Sequence, residues 1–125
     1  MDHEEITQKY CDYAIRKLKA DKIRFRPMKR KNNQINTKNG YVIGRTNLKT
    51  GLITIDIFTP RKREPKKMSS ILRTLCHEIA HHQKPPFRQL HRGRLISRQH
   101  YPKFYKQVNK NIEILKKDSN LEGCF

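Results

Sequence analysis

Acidic side chains are scarce in this chain. Its 125 residues hold 11 Asp and Glu against 29 Lys and Arg, a formal net charge of +18. Such a field attracts nucleic acid, anionic lipid or acidic peptides. Yet no ribonucleoprotein-type aromatic motif and no Cys/His finger accompanies the basic runs. Those runs sit at Lys29-Arg30-Lys31, at Arg61-Lys62-Arg63 with Lys66-Lys67, and at Arg88, Arg92, Arg94 and Arg98. Cysteine is sparse too. Cys11, Cys76 and Cys124 are odd in number and widely spaced, which excludes a disulfide framework and a four-cysteine zinc site. The expectation is a reducing compartment. Long apolar runs are missing: the longest, Leu52 to Phe58, is interrupted by Asp56, so no segment approaches a membrane span. The N-terminal MDHEEITQKY is acidic and polar, unlike a signal peptide. A soluble, cytoplasmic protein is expected, without internal repeats or low-complexity segments. Apolar residues make up 34% of the chain, lean enough that a bound metal would help it fold.

The local patterns that are present give an α+β layout. The length suits one domain, taken as residues 1–117, followed by a short tail, 118–125. Asp2 with Glu5 makes a capping-box-like start, and Ile6, Tyr10, Tyr13, Ala14 and Leu18 recur at helical spacing, so a helix is expected over Asp2–Ala20. Lys22–Met28 alternates as a half-buried strand. Thr37-Lys38-Asn39-Gly40 reads as a hairpin turn, Tyr41–Thr46 as a second strand, Lys49-Thr50-Gly51 as another turn and Leu52–Phe58 as a third strand. Local hairpins predict a small three-stranded antiparallel sheet. Pro65 suits the first turn of a helix, and Met68, Ile71, Leu72, Leu75, Ile79 and Ala80 form one apolar stripe, stopped by Pro85-Pro86. Phe87–Gln99 reads as an irregular basic connector. Pro102 opens a last helix whose expected buried face is Phe104, Tyr105, Val108, Ile112 and Leu115.

The second helix carries His77-Glu78-Ile79-Ala80-His81, the pattern HExxH. Histidines four apart lie one turn apart on one helix face, so both imidazoles can grip one metal ion. Glu78 falls beside that ion, placed to act as general base. Zinc lowers the pKa of a bound water to about 7, making hydroxide available near neutrality. A catalytic zinc takes a third protein ligand. His82 points about 100° round the helix from His81, which disfavours it. His100 and His91 remain. His100 is preferred because it stands just before a helix whose aromatics anchor it, whereas His91 lies in the connector.

HEIAH followed by His100-x-x-x-Phe104-Tyr105 resembles the minigluzincins, soluble single-domain zinc peptidases of about this size. It is also similar to the WLM and SprT-like metalloproteases. Minigluzincins are similar to the catalytic domains of the heat-shock protease HtpX and of CAAX-prenyl proteases. The resemblance implies a zinc endopeptidase acting on peptide or protein substrates. It departs in the 18 residues between His81 and His100, longer than in WLM proteins. Gluzincins generally take a glutamate as third ligand, which brings in Glu113 as a third-ranked candidate. The resemblance further implies an edge strand beside the active-site helix for substrate pairing, with Leu52–Phe58 as candidate, and an oxyanion stabiliser drawn from Tyr101, Tyr105 and His91. It implies latency as well, through the tail Leu121-Glu122-Gly123-Cys124-Phe125, whose thiol or carboxylate would enter the cleft. A dimer through the C-terminal helix is the oligomer to test. The alternative reading is nucleic-acid-associated: a SprT-like protease working on DNA-bound proteins, or a zinc-dependent RNA-processing protein of the YbeY kind. Glu78 argues against the latter, whose sites lack that glutamate.

Overall fold

A computed structural model describes residues 2–29 and 42–125. The expected Asn39-Gly40 turn and the first residue of the Tyr41–Thr46 strand lie outside the described residues. The elements run α1 (His3–Lys17), β1 (Arg24–Pro27), β2 (Gly44–Thr46), β3 (Leu52–Ile55), α2 (Met68–Gln83), β4 (Phe87–His91), β5 (Arg94–Arg98) and α3 (Pro102–Lys116), then a short 3₁₀ turn over Glu122–Cys124. The α+β class is as expected. The sheet is not wholly antiparallel.

Helix α1 starts where the Asp2 carboxylate accepts the Glu5 amide at 2.8 Å. Glu4 and Glu5 face the positive end of the helix dipole. The helix buries Thr7, Cys11, Ala14 and Ile15. The sheet order is β1-β3-β2. β2 and β3 form the expected antiparallel hairpin, Arg45 opposite Thr54. β1 lies on the other side of β3 and runs parallel to it, Phe25 opposite Ile53. The reason is local. The Asn47–Gly51 turn pairs β3 with β2, and β1 takes the other edge of β3. That turn is fixed by the Asn47 side chain, which accepts the amides of Lys49 and Thr50 at 2.9 and 3.0 Å. Gly51 is required twice over. Its φ is +78°, and a Cβ there would stand 2.2 Å from the Lys22 carbonyl oxygen.

β3 is therefore a central strand. Ile53, Ile55 and Ile57 are all but fully buried beneath α1 and α2, with Ile71, Leu72, Leu75 and Ile79 packed against them. The strand ends at Ile55 rather than Phe58, because Asp56 turns inward. Its carboxylate, fully buried, receives Arg63 through both terminal nitrogens, at 2.8 and 2.9 Å, and the Phe58 amide at 3.2 Å. Arg63, held at φ +53°, also lies over the Phe58 ring at 5.7 Å. The bidentate pair folds the basic connector back on itself and delivers the chain to α2. Pro65 consequently sits in an isolated bridge with Phe58, ahead of the Lys67 cap, rather than in the helix's first turn.

The apolar stripe of α2 is buried as expected, and the helix ends two residues before Pro85. Phe87–Gln99 is not irregular. It forms a two-stranded hairpin, β4 and β5, with Leu90 opposite Leu95. Its two-residue turn places Arg92 at φ +51° and Gly93 at φ +76°, the primed geometry that matches strand twist. α3 buries Phe104, Val108, Asn111 and Leu115, whereas Tyr105 is half exposed, contrary to expectation. Its place is taken by Asn111, fully buried, whose amide donates to the Cys76 carbonyl at 3.2 Å and to Gln83 Oε1 at 2.7 Å. A satellite core of Ala80, Phe104 and Val108 joins α3 to α2.

Residues of the 118–125 tail pack with the main core. Leu121 is fully buried, and Cys124 and Phe125 pack against it and its neighbours. Desolvation raises the Asp118 carboxyl, but the Asn120 amide, the Tyr13 hydroxyl and Lys17 together bring it below the usual carboxylate range. No helix among the described residues is long and apolar enough to cross a membrane.

Removing one partner of a buried bidentate pair strands the other charge. Asp56→Ala is expected to cost about 3–5 kcal/mol in urea unfolding. The double change D56L/R63M should recover most of that loss. Equal costs for the single and the double variant would show that the pair does not act as a unit.

Candidate metal centre

Helix α2 and the start of α3 bring three histidines together. His77, His81 and His100 offer ring nitrogens that all lie within 4.8 Å of one another. Their rings form a tight group, with centroid separations of 5.0 Å for His77–His81, 5.2 Å for His77–His100 and 5.0 Å for His81–His100. Phe104 is the floor of this group. Its fully buried ring stacks on His81 at 4.5 Å and meets His77 and His100 edge-on at 5.0 and 5.2 Å. Tyr105 lies outside, over His100 at 6.2 Å.

His100 is held by the two aromatic residues that follow it. Phe104 follows it within the first turn of α3. Tyr101, next in the chain, ties it to the start of the hairpin: its hydroxyl donates to the Pro85 carbonyl at 3.0 Å and its ring meets Phe87 at 4.9 Å. The hairpin thus leaves α2 at Pro86 and returns at Gln99, and both residues line the cleft over the histidines.

That cleft, about 560 Å³, is walled by β2 on one side, with Gly44 and Thr46, and by α2 on the other. Glu78 is the one acid among its described lining residues. Gly44 allows the strand to lie this close: a Cβ there would sit 3.2 Å from Glu78 Oε1 and 3.2 Å from Thr74 Cγ2. Thr46 Oγ1 and His82 Nε2 are hydrogen-bonded, fastening β2 to α2.

Burial governs the electrostatics. Desolvation pushes the Glu78 carboxyl up to about 7. Desolvation, then the neighbouring imidazoles of His77, His100 and His82, push His81 down to about 4. His77 is lowered likewise, by burial and then His100. Both are therefore neutral near pH 7, the state in which imidazole binds metal. With the His100 ring beside them, the three imidazoles match the donor set of a three-histidine zinc site.

The other candidates stand elsewhere. His91 lies near the hairpin turn, opposite Arg94, exposed and outside the cluster. Glu113 is exposed on α3, 3.9 Å from Lys116. His3 bonds the Ile57 carbonyl at 2.9 Å, on the α1 side of the sheet. The cysteines are free, and burial raises Cys11 and holds Cys76 up at about 12, so neither offers a thiolate. Of the oxyanion candidates, Tyr101 is committed to Pro85 and His91 is remote. Tyr105 reaches only the outer face of His100.

Sequence reasoning missed Gly44, Thr46, Pro86 and Gln99 as walls of the cleft. The Gly44 signal was present: a glycine inside a strand marks close approach by another group. The expected pairing strand, Leu52–Phe58, is corrected by the topology. β3 is flanked on both sides, and among the described strands β2 is the edge beside α2. No protein-family model, curated protein or solved structure matches this chain.

Glu78 carries a pH signature in the metal-free protein. Its folded pKa, about 7, lies above the ordinary 4.5, so the folded state binds the extra proton and loses stability as pH rises from 4.5 through 7. Glu78→Gln, measured with chelator present, should leave Tm unchanged near pH 4.5. It should raise Tm by roughly 5 °C at pH 8. A difference that does not depend on pH would show that Glu78 is not desolvated.

Proposed function

We propose that this protein is a zinc endopeptidase of the minigluzincin kind, with His77, His81 and His100 as metal ligands and Glu78 as general base. The observation that carries the reading is the arrival of His100, across 18 intervening residues, against the HEIAH pair in a cleft whose described acid is Glu78. A zinc ion held there would act as a Lewis acid toward water and a peptide carbonyl. Glu78 takes a proton at a carboxylate oxygen and returns it to the departing amine, the two halves of general acid–base catalysis at one group. Phe104 and the hairpin base fix the imidazoles so that little reorganisation is needed.

Substrate enters as an extended strand along β2. Gly44–Thr46 form the edge of the described sheet, next to Glu78, and backbone pairing there would lay a peptide bond across the histidines. Arg45, also on the cleft wall, favours substrates with acidic side chains. Inhibition by the C-terminal segment is no part of this proposal. None of the residues of that segment lines the cleft, and Phe125 lies beside Arg73, 5.5 Å from its guanidinium.

Elemental analysis of protein purified without added metal tests the ligand set. Zinc close to one per chain is expected for the wild type and His91→Ala, and loss of it for His100→Ala. Glu78→Gln should retain zinc while peptidase activity falls at least about a hundredfold. A wild type that takes up no zinc on reconstitution, or an active Glu78→Gln enzyme, would sink the proposal.

A further inference from the structure

The β4–β5 hairpin stands off the body of the protein. Every residue of β4 is exposed, as are all those of β5 but Ile96. Two of its apolar residues are not turned inward. Leu90 and Leu95, 71% and 62% exposed, face each other across the ladder, with Arg88 on the same face. An exposed pair of this kind on a short ribbon calls for a partner.

The charge around it is one-sided. From Ile79 to Ile112 no acidic residue occurs. The hairpin contributes Arg88, Arg92, Arg94 and Arg98. The exposed Lys103, Lys106 and Lys110 continue the basic surface as one stripe of α3. Between Pro85 and Pro102 every basic residue is arginine or histidine, none lysine. Arginine's planar fork suits bidentate contacts with phosphate oxygens and guanine edges.

We propose that this hairpin is a docking element for double-stranded DNA, seated beside the cleft. The inference goes beyond the peptidase reading and does not depend on it. A two-stranded ribbon fits the B-form major groove, which is about 12 Å wide. Arg88, Arg92 and Arg94 would contact phosphates and base edges, while Leu90 and Leu95 offer an apolar contact to thymine methyl groups. The turn argues against a lipid bilayer. The most protruding residues, Arg92, Gly93 and Arg94, carry two charges that would have to enter hydrocarbon ahead of the leucines. The A-form major groove of duplex RNA is too narrow for the ribbon. Because the hairpin starts at Pro86 and ends at Gln99, DNA bound to it lies at the mouth of the cleft.

The test is fluorescence anisotropy with a short DNA duplex over a salt series, using the full chain. The hairpin variant R88Q/R92Q/R94Q is compared with R24Q/R61Q/K62Q, which removes the same charge from exposed sites on other elements. The hairpin variant is expected to lose on the order of a hundredfold in affinity at about 0.1 M salt, with the log–log salt slope lower by about 2 to 3. The matched variant should lose less than about fivefold. Equal losses would mean diffuse attraction to a basic protein and would overturn the proposal. So would absence of duplex binding by the wild type. Tighter hairpin-dependent binding to duplex RNA, to polyglutamate or to phosphatidylserine vesicles would overturn it in favour of that partner. If circular dichroism shows the triple variant misfolded, R92Q/R94Q changes only the turn, and a slope lower by about 2 is then expected.

Discussion

The fit of one phenylalanine ring between two helices organises this molecule. Phe104 fills the space between α3 and α2 and is at the same time the surface on which His77, His81 and His100 rest. Burying a ring of that size stabilises the fold by about 2–3 kcal/mol. The histidine cluster thus shares its support with the core, and the core cannot loosen without spreading the imidazoles. Asn111 adds direction to this contact. Its amide reaches the Cys76 carbonyl on the turn just before His77, so rotation or sliding of α3 would break a buried hydrogen bond. An apolar residue there would pack without specifying register.

The site is a set of opposed electrostatic demands met by placement. The Glu78 carboxyl and the His77 and His81 imidazoles are packed beside apolar surface, where each prefers to be neutral. Glu78 is driven up and His81 down, so both favour their uncharged forms across the same middle range of pH. The cleft is therefore assembled at some expense to stability, with Gly44 permitting the approach of β2 that buries the carboxyl. Compensation comes from elsewhere, in the aliphatic layer between α1, α2 and β3.

The parts of this structure that were legible in the sequence are those set by period and by local chemistry. The stripe from Met68 to Ala80 placed α2, and the Asp2 cap placed the start of α1. His100 was preferred over His91 because it precedes an aromatic-anchored helix, and the three-histidine group contains it. What escaped were properties that depend on the whole chain. Whether β1 pairs parallel or antiparallel depends on which edge of β3 is already taken, and no alternation of apolar residues records that. The hairpin was hidden because its turn uses Arg92-Gly93 in place of Asn-Gly and because, exposed on both faces, its strands lack a buried face to impose alternation. Asp56 read as an interruption of a strand. Its meaning needed Arg63, seven residues on, folded back to meet it.

The C-terminal residues set the order in which the chain can fold. Tyr13 and Asp118 are hydrogen-bonded across 105 residues, and Leu121 completes the layer on which α1 lies. A chain of which only the first hundred residues have emerged can form α1, the sheet and α2, but its first helix has no lid on that side. Loop closure of this length is entropically costly and is compensated only when the last contacts arrive. Completion of the main core is thus deferred until residues 118–125 have emerged. Until then the aromatic face of α1, with Tyr10 and Tyr13, stays open to other chains.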